Sequence, residues 1–297
     1  MAVASAAARP PAAPSKASTL QTFKGAAWLG WQIESNWAEP WVFAIYSVIR
    51  PLAGVGIVTF MYLAVAGATG TYAPDRLAFV YVGTAFFMFV GQELYGISQA
   101  VLDDREHYRT LKYVYIAPGS IYVYLFARGL AKVAETAISC VVTLSVGAFV
   151  LHIDYSAFDP LLLVVALVLG VLGIATFGIM LAGITLLTAR HGFQMGESVA
   201  AVFFLLGGVV FPIYILPGWV QNISYAVPVT YWIEAMRRSV IGDAGQANSL
   251  LASMPTWQLL VTMVTLTVLF FGLSVLIFRQ FDRSARRKGR IDITTNF

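Results

Sequence analysis

The amino-acid sequence predicts an all-α membrane protein with six transmembrane helices, and two features carry this prediction. Only 11% of the 297 residues are charged and 59% are hydrophobic, whereas a soluble domain carries about 25% charged residues. The apolar runs are also long and unbroken, as at 161–172 and 259–278. The strands of a membrane β-barrel would instead alternate apolar and polar residues. Since backbone polar groups in lipid must be satisfied within the chain, such runs predict helices.

Six apolar stretches separated by polar segments give the order of the expected spans. They lie at about 43–67, 78–101, 124–151, 160–188, 198–211 and 256–278. Arg50 and Pro51 interrupt the first stretch. The fifth is too short to cross a core of about 30 Å if it stops at Pro212. We expect a disordered tail at 1–18, one membrane domain at 19–280 and a basic cytoplasmic tail at 281–297.

The distribution of basic residues predicts which way the chain crosses the membrane. If both termini face the cytoplasm, every Lys and Arg except Arg76, Arg237 and Arg238 lies on or near the inner side. This asymmetry agrees with the positive-inside rule, and an even number of spans agrees with it too. We therefore interpret the net charge of +4 as a signal of orientation rather than of nucleic-acid binding.

An amphipathic segment precedes the first span, at 19–38. Its apolar residues fall on one helical face, namely Leu20, Phe23, Ala27 and Trp31. Trp28, Trp31 and Trp37 suit the lipid headgroup region. We expect an N-terminal interface helix that lies on the membrane surface. The alternative is an ordinary start of the first span.

The polar segment between spans 2 and 3 predicts a cytoplasmic amphipathic helix of about three turns. Asp103 or Asp104 is a suitable N-cap, and Pro118 ends the helix. One face is partly apolar and the other is charged, with Tyr108, Leu111, Val114 and Tyr115 on the first and Arg105, Arg109 and Lys112 on the second. Such a helix can dock into a groove on a soluble partner. The alternative is a solvated connector.

Prolines break the chain after the fifth span. Pro212, Pro217 and Pro228 exclude one straight helix. The aromatic residues of this stretch suit the outer interface, namely Trp219, Tyr225, Tyr231 and Trp232. We expect short re-entrant or interfacial helices on the outer face, covered by protein or touching water. The alternative is a plain extracellular loop.

Several charged side chains lie within the expected spans. Glu93 follows Gln92 in span 2, and a carboxylate in the membrane is costly unless it is paired. We expect an intramolecular ion pair, and the alternative is a contact with cargo or with the coupling machinery. The possible partners are Arg128, Lys132 and Arg50. Glu135 in span 3 is a similar but weaker case of a charged residue that needs a partner. The aromatic residues of span 2 are candidates for lining a path, namely Phe79, Tyr81, Phe86, Phe87, Phe89 and Tyr95.

The sequence lacks the familiar catalytic and nucleotide-binding patterns. It has no P-loop and no Gly-Lys dipeptide, and no metalloprotease, hydrolase or dinucleotide motif. The three histidines lie in separate loops and predict no metal site, and Cys140 is the single cysteine. An enzyme is therefore disfavoured, and any ATP would have to bind to another chain.

Two stretches together resemble the ABC type-2 permease family. In the segment after span 2, Glu106, Thr110, Leu111 and Pro118 fit the family's spacing, whereas Arg109 and Lys112 stand where Gly and Glu are usual. The second stretch has a proline-broken return and a short helix ending in Arg, and its matching residues are Gly207, Gly208, Pro212, Pro217, Pro228, Tyr231 and Arg237.

This resemblance implies the membrane subunit of a bacterial exporter in the prokaryotic plasma membrane. It implies a dimer with a second copy or a related permease, and a separate ATPase subunit that binds ATP and Mg on each half. Glu106, Arg109 and Leu111 would lie in the contact with that ATPase, and Thr110 and Pro118 would belong to the same coupling segment. The cargo would be a hydrophobic or amphipathic compound, or alternatively a lipid-linked polysaccharide. A secondary transporter or channel remains the alternative from another class.

Overall fold

The computed structural model of this chain describes residues 18–36, 39–188, 192–242 and 251–289. Within those ranges all regular structure is helical. The helices are α1 Thr19–Ser35, α2 Pro40–Thr69, α3 Pro74–Leu102, α4 Leu111–Ile116, α5 Ile121–Phe149, α6 Pro160–Thr185, α7 Gly192–Leu206, α8 Gly218–Tyr225, α9 Pro228–Ile241 and α10 Thr256–Arg287. A π-helical turn, Asp103–His107, follows α3, and a 3₁₀ turn, Ile213–Ile215, precedes α8. The predictions for 1–17, Trp37, His191 and 290–297 lie outside the described residues.

Among the described residues, five helices are long and apolar enough to cross a membrane. They are α2, α3 with its π-helical turn, α5, α6 and α10, and they confirm a multi-pass membrane protein. The helix in the place of the fifth expected span, α7, has 15 residues and is about 22 Å long, against a core of about 30 Å. The count of six spans therefore stays a prediction.

The interruption expected in the first span is not present, because α2 runs unbroken through Pro51. Proline has no N–H to give to the carbonyl four residues earlier, which here belongs to Ser47. The Ser139 hydroxyl of α5 donates to that Ser47 carbonyl at 2.6 Å. A neighbouring helix thus satisfies the group that the proline leaves free, which is how membrane helices tolerate proline.

The core is arranged around α3, which packs against α2, α5, α6, α7 and α9. Helix α9 is buried along its whole length, between α3, α6 and α10. We call the end of the bundle that carries α1, α4 and the last turns of α10 the proximal end. The distal end carries the α2–α3 and α5–α6 connections and the residues just before α10. Helix α10 continues past residue 280 as far as Arg287.

The N-terminal helix α1 packs along α5. The two backbones approach closely, since a Cβ at Gly30 would lie 3.1 Å from the Arg128 carbonyl oxygen. Ala26 and Gly30 are the buried residues of α1, whereas Leu20 and Trp28 are exposed. An amphipathic N-terminal helix is therefore present, and its position on a membrane surface stays a prediction.

Candidate functional site

The connection between α3 and α5 forms the surface of the proximal end, and it differs from the predicted three-turn helix. Asp103 and Asp104 do not begin a helix, because the π-helical turn continues α3 through them. The Asp104 carbonyl then accepts the Thr110 N–H at 2.7 Å, and Arg109 adopts a left-handed backbone with φ of 52°. Only six residues remain for α4, which ends before Pro118.

Asp104 has a structural role, since its carboxylate joins the end of α3 to α5. The Tyr124 hydroxyl donates to Oδ2 at 2.7 Å, and Arg128 Nη1 lies 3.3 Å from Oδ1. Asp104 and Arg128 are both buried. Removing one partner of a buried ion pair costs about 3–5 kcal/mol, because the other charge is left unpaired.

Arg105 also departs from the predicted charged face, because its side chain is buried. Nη1 donates to the carbonyls of Thr185 and Leu186 at 3.4 and 3.1 Å, and Nε lies 3.0 Å from Glu106 Oε1. These carbonyls end α6, where a cation is favoured by the helix dipole. Arg105 therefore joins the π-helical turn to α6.

Helix α4 is anchored on one side and open on the other. Leu111 is buried, and the Tyr115 hydroxyl donates to Asp282 Oδ1 of α10 at 2.8 Å. Burial and this hydrogen bond raise the pKa of Tyr115. Arg286 lies 4.6 Å from the Tyr115 ring and also binds Asp282. We call the open side the α4 face, formed by Tyr108, Arg109, Lys112, Tyr113 and Ile116, all exposed.

The predicted coupling residues therefore occupy different positions. Arg109 and Pro118 are exposed, whereas Thr110 and Glu106 are partly buried. Leu111 points into the core and holds α4 in place. Of the exposed aromatic side chains beside it, Tyr108 belongs to the predicted apolar face, whereas Tyr113 was not among the predicted contacts.

In the part of the chain that the structure describes, Glu93 forms none of the ion pairs expected for it. Glu93 is buried, and its Oε2 atom has no hydrogen-bond partner among the described residues. Arg128 is bound to Asp104, Lys132 is bound elsewhere, and Arg50 is exposed. Other carboxylates compete with Glu93 for these basic residues, since Asp104 binds Arg128 and both Glu34 and Glu135 bind Lys132.

Lys132 connects α5 to the N-terminal helix. Its Nζ forms an ion pair with Glu34 of α1 and lies 3.1 Å from Glu135 Oε2. Burial raises the pKa of Glu34 above its ordinary value, and Lys132 partly opposes that shift. The two membrane-embedded charges Lys132 and Glu135 thus belong to one network with α1.

At the distal end, α8 and α9 form a hairpin of two short helices after α7. The first residue of α9, Pro228, lies beside Gly173 in the middle of α6. Near its other end, the Ser239 carbonyl accepts the N–H of Asp159, which caps the start of α6. Helix α9 therefore extends along the distal half of α6. Short re-entrant or interfacial helices were predicted after α7, covered by protein or touching water, and of these alternatives α9 is enclosed by protein.

Arg237 holds this hairpin against α3, although the sequence placed it outside the membrane. Its Nε donates to the Phe79 carbonyl at 3.1 Å, and Nη2 donates to those of Gly208 and Val209 at 2.9 and 2.5 Å. The guanidinium also lies 3.5 Å from the centre of the Phe79 ring. Gly83 of α3 leaves room for it, because a Cβ there would lie 2.8 Å from Arg237 Cζ.

The other predicted residues of this region have structural contacts. Arg238 Nε lies 2.9 Å from Glu234 Oε1, and its terminal nitrogens donate to the carbonyls of Leu251 and Met254. The Tyr231 hydroxyl donates to the Tyr225 carbonyl at 2.9 Å. Of the prolines, Pro212 precedes the 3₁₀ turn, Pro217 precedes α8 and Pro228 is the first residue of α9.

Comparison with known proteins agrees with this arrangement. The family model described as ABC-2 type transporter matches residues 27–241, a range that extends from α1 to the end of α9. No curated protein matches the chain. The match covers most of the membrane helices, the α4 connection and the α8–α9 hairpin, and it shows a membrane subunit of the transport machinery. The chain therefore belongs to the ABC-2 type transporter family.

Proposed function

We propose that this chain is the permease subunit of an ATP-driven exporter whose motor is a separate ATPase docked on the α4 face. One observation carries the proposal. Helix α4 is fixed to the bundle by Leu111 and Tyr115, yet it exposes 59% of Tyr113 and 78% of Ile116. An anchored helix with an exposed apolar side is what a groove on a soluble partner recognises.

The contacts behind α4 supply a route from such a partner to the spans. Asp104 bonds to α5, Arg105 to the end of α6, and Tyr115 to α10. A displacement of α4 together with the π-helical turn before it would act on three spans at once. Since the sequence has no P-loop, the nucleotide and its Mg would be bound by the partner. The proximal end would then face the cytoplasm of a bacterial cell.

We propose a hydrophobic or amphipathic cargo. Two of the apolar grooves among the described residues measure about 650 and 500 Å³, and binding sites for small ligands typically measure about 300–1,000 Å³. The larger lies between α1, α5, α6 and α10, and the smaller at the distal end. Helices α2 and α10 lie at the edge of the bundle and are little buried, which leaves surface for a second copy or a related permease.

Docking on the α4 face can be tested with a matched pair of variants. This chain is co-expressed with candidate ABC ATPase subunits from the same genome, and co-purification and ATP hydrolysis are measured. Tyr113→Asp should reduce ATPase capture at least tenfold. Tyr72→Asp, at the distal end with 54% of the side chain exposed, should leave it unchanged. Equal capture by wild type and Tyr113→Asp, with both chains folded, would contradict the proposed docking site.

A further inference from the structure

The smaller apolar groove has the features of a binding site. It opens at the distal end between α5 and α6, which contact each other little although they are consecutive. Its volume is about 500 Å³. The floor is formed by Phe86 and Phe89 of α3 and Met236 of α9, and the walls include Leu144 and Leu163. None of the described residues that line it is charged.

A buried hydroxyl without a partner lies in this apolar lining. Tyr155, in the α5–α6 connection, lines the groove, and its hydroxyl has no hydrogen-bond partner among the described residues. Gly147 leaves room for that oxygen, because a Cβ there would lie 2.5 Å from it. A buried polar atom left unsatisfied costs about 1–3 kcal/mol. A ligand that offers a hydrogen bond to this oxygen would recover that cost.

Two carboxylates flank the part of the connection that lines the groove. Asp154 precedes Tyr155, and Asp159 follows Phe158, which is also in the lining. Their hydrogen bonds come from Ser156 and from the backbone of Leu161 and Leu162. Among the described residues neither carboxylate forms a salt bridge. Both carboxylates are exposed and each is adjacent in the chain to a lining residue, so the charge beside the groove favours a positive rather than a negative ligand.

We infer that this distal groove binds hydrophobic cations. The apolar part of the ligand would lie against Phe86, Phe89 and Leu144, and an N–H group would donate to the Tyr155 oxygen. The positive charge would lie near Asp154 and Asp159. This inference rests on the proposed function, because it narrows the class of cargo to hydrophobic compounds that carry a positive charge. Cations of this kind would reach the groove laterally from the lipid.

The test uses the full chain in phosphatidylcholine nanodiscs and a dye as the ligand. Rhodamine 6G is a hydrophobic cation with N–H donors, and fluorescein methyl ester has the same ring system with a negative charge. Binding is measured by fluorescence polarisation. We expect saturable binding of rhodamine 6G and at least tenfold weaker binding of the fluorescein ester. Equal binding of the two dyes would overturn the assignment of charge.

Variants locate the bound dye. Leu144→Trp fills the groove and should weaken rhodamine 6G binding at least tenfold. Ile138→Trp places the same side chain on the exposed side of α5, outside the lining, and should bind as wild type does. If Leu144→Trp does not fold, Val141→Trp at the exposed rim takes its place. Tyr155→Phe should weaken binding about three- to tenfold, which corresponds to one hydrogen bond.

The outcomes separate this inference from the proposed function. Binding that is the same in the filled and control variants would place the dye elsewhere and overturn the inference. Absence of binding to wild type would do the same, as would a lipid that stays in the groove and excludes the dye. None of these results affects capture of the ATPase on the α4 face, because that measurement needs no cargo.

Discussion

Gly83→Ala should detach the α8–α9 hairpin from α3, because the new methyl group would occupy the space of the Arg237 guanidinium. The added Cβ would also lie 2.7 Å from the Val209 carbonyl oxygen, so movement of the arginine alone does not relieve the contact. Overpacking costs about 1–3 kcal/mol, and loss of one hydrogen bond to a charged group costs about 1.5–3 kcal/mol. We expect Gly83→Ala to lower the free energy of unfolding by about 2.5–6 kcal/mol.

The control for this prediction lies on the same helix. A Cβ at Gly91 meets no atom within 4 Å, and alanine is the better helix former by about 1 kcal/mol. Gly91→Ala should therefore be neutral or slightly stabilising. The assay is denaturant unfolding of both variants in the same detergent, followed by tryptophan fluorescence. Equal unfolding midpoints for the two variants would refute the packing of Arg237 against Gly83.

A double-mutant cycle identifies the arginine as the cause. Arg237→Ala alone should destabilise the protein, since three carbonyls lose their donor. In that background Gly83→Ala should cost less than it does in wild type, by at least 1 kcal/mol, because only the contact with Val209 remains. Additive effects would mean that Gly83 and Arg237 do not interact.

Three further substitutions test contacts inside the bundle and at its proximal end. Ser139→Ala removes the donor to the carbonyl freed by the proline of α2 and should cost about 1–3 kcal/mol in unfolding free energy, whereas Ser145→Ala, at an exposed position on the same helix, should change it little. Glu93→Gln should not lower the unfolding free energy, because no ion pair is lost; a loss above about 3 kcal/mol would reveal a partner. Tyr115→Phe removes the bond to Asp282 and should lower ATP-driven transport more than ATPase capture, with equal losses counting against coupling through α10.

The membrane-spanning helices could be predicted from composition, because long stretches without charged residues are suited to lipid and not to water. The short helices after α7 could also be predicted, because proline breaks a helix at its own position in the sequence. The course of α2 could not, since the proline that should interrupt it is compensated by Ser139, which is far away in sequence. A hydrogen bond between helices leaves no signal in the local pattern.

The proximal connection shows a second limit of sequence reasoning. Asp104 and Arg105 have the residue types of a solvated helix start, and their spacing is suitable for it. Both are instead buried, because Tyr124, Arg128 and the end of α6 supply partners for them. The same competition for partners explains why Glu93 lacks the expected ion pair: Arg128 and Lys132 are bound to other carboxylates. Which charges pair depends on how α1 and α5 pack, and that packing is set by small residues such as Gly30.

The complete burial of α9 has a consequence for the order of membrane assembly. This helix carries Glu234, Arg237 and Arg238, and each charged residue costs about 2.5–3.5 kcal/mol at the centre of an inserting helix. Helix α9 therefore does not partition into lipid by itself. It reaches its place only after α3 and α6 have formed its walls, and α10 closes the last side. A chain that ends before Thr256 should insert its earlier spans and leave α9 exposed to protease outside the membrane.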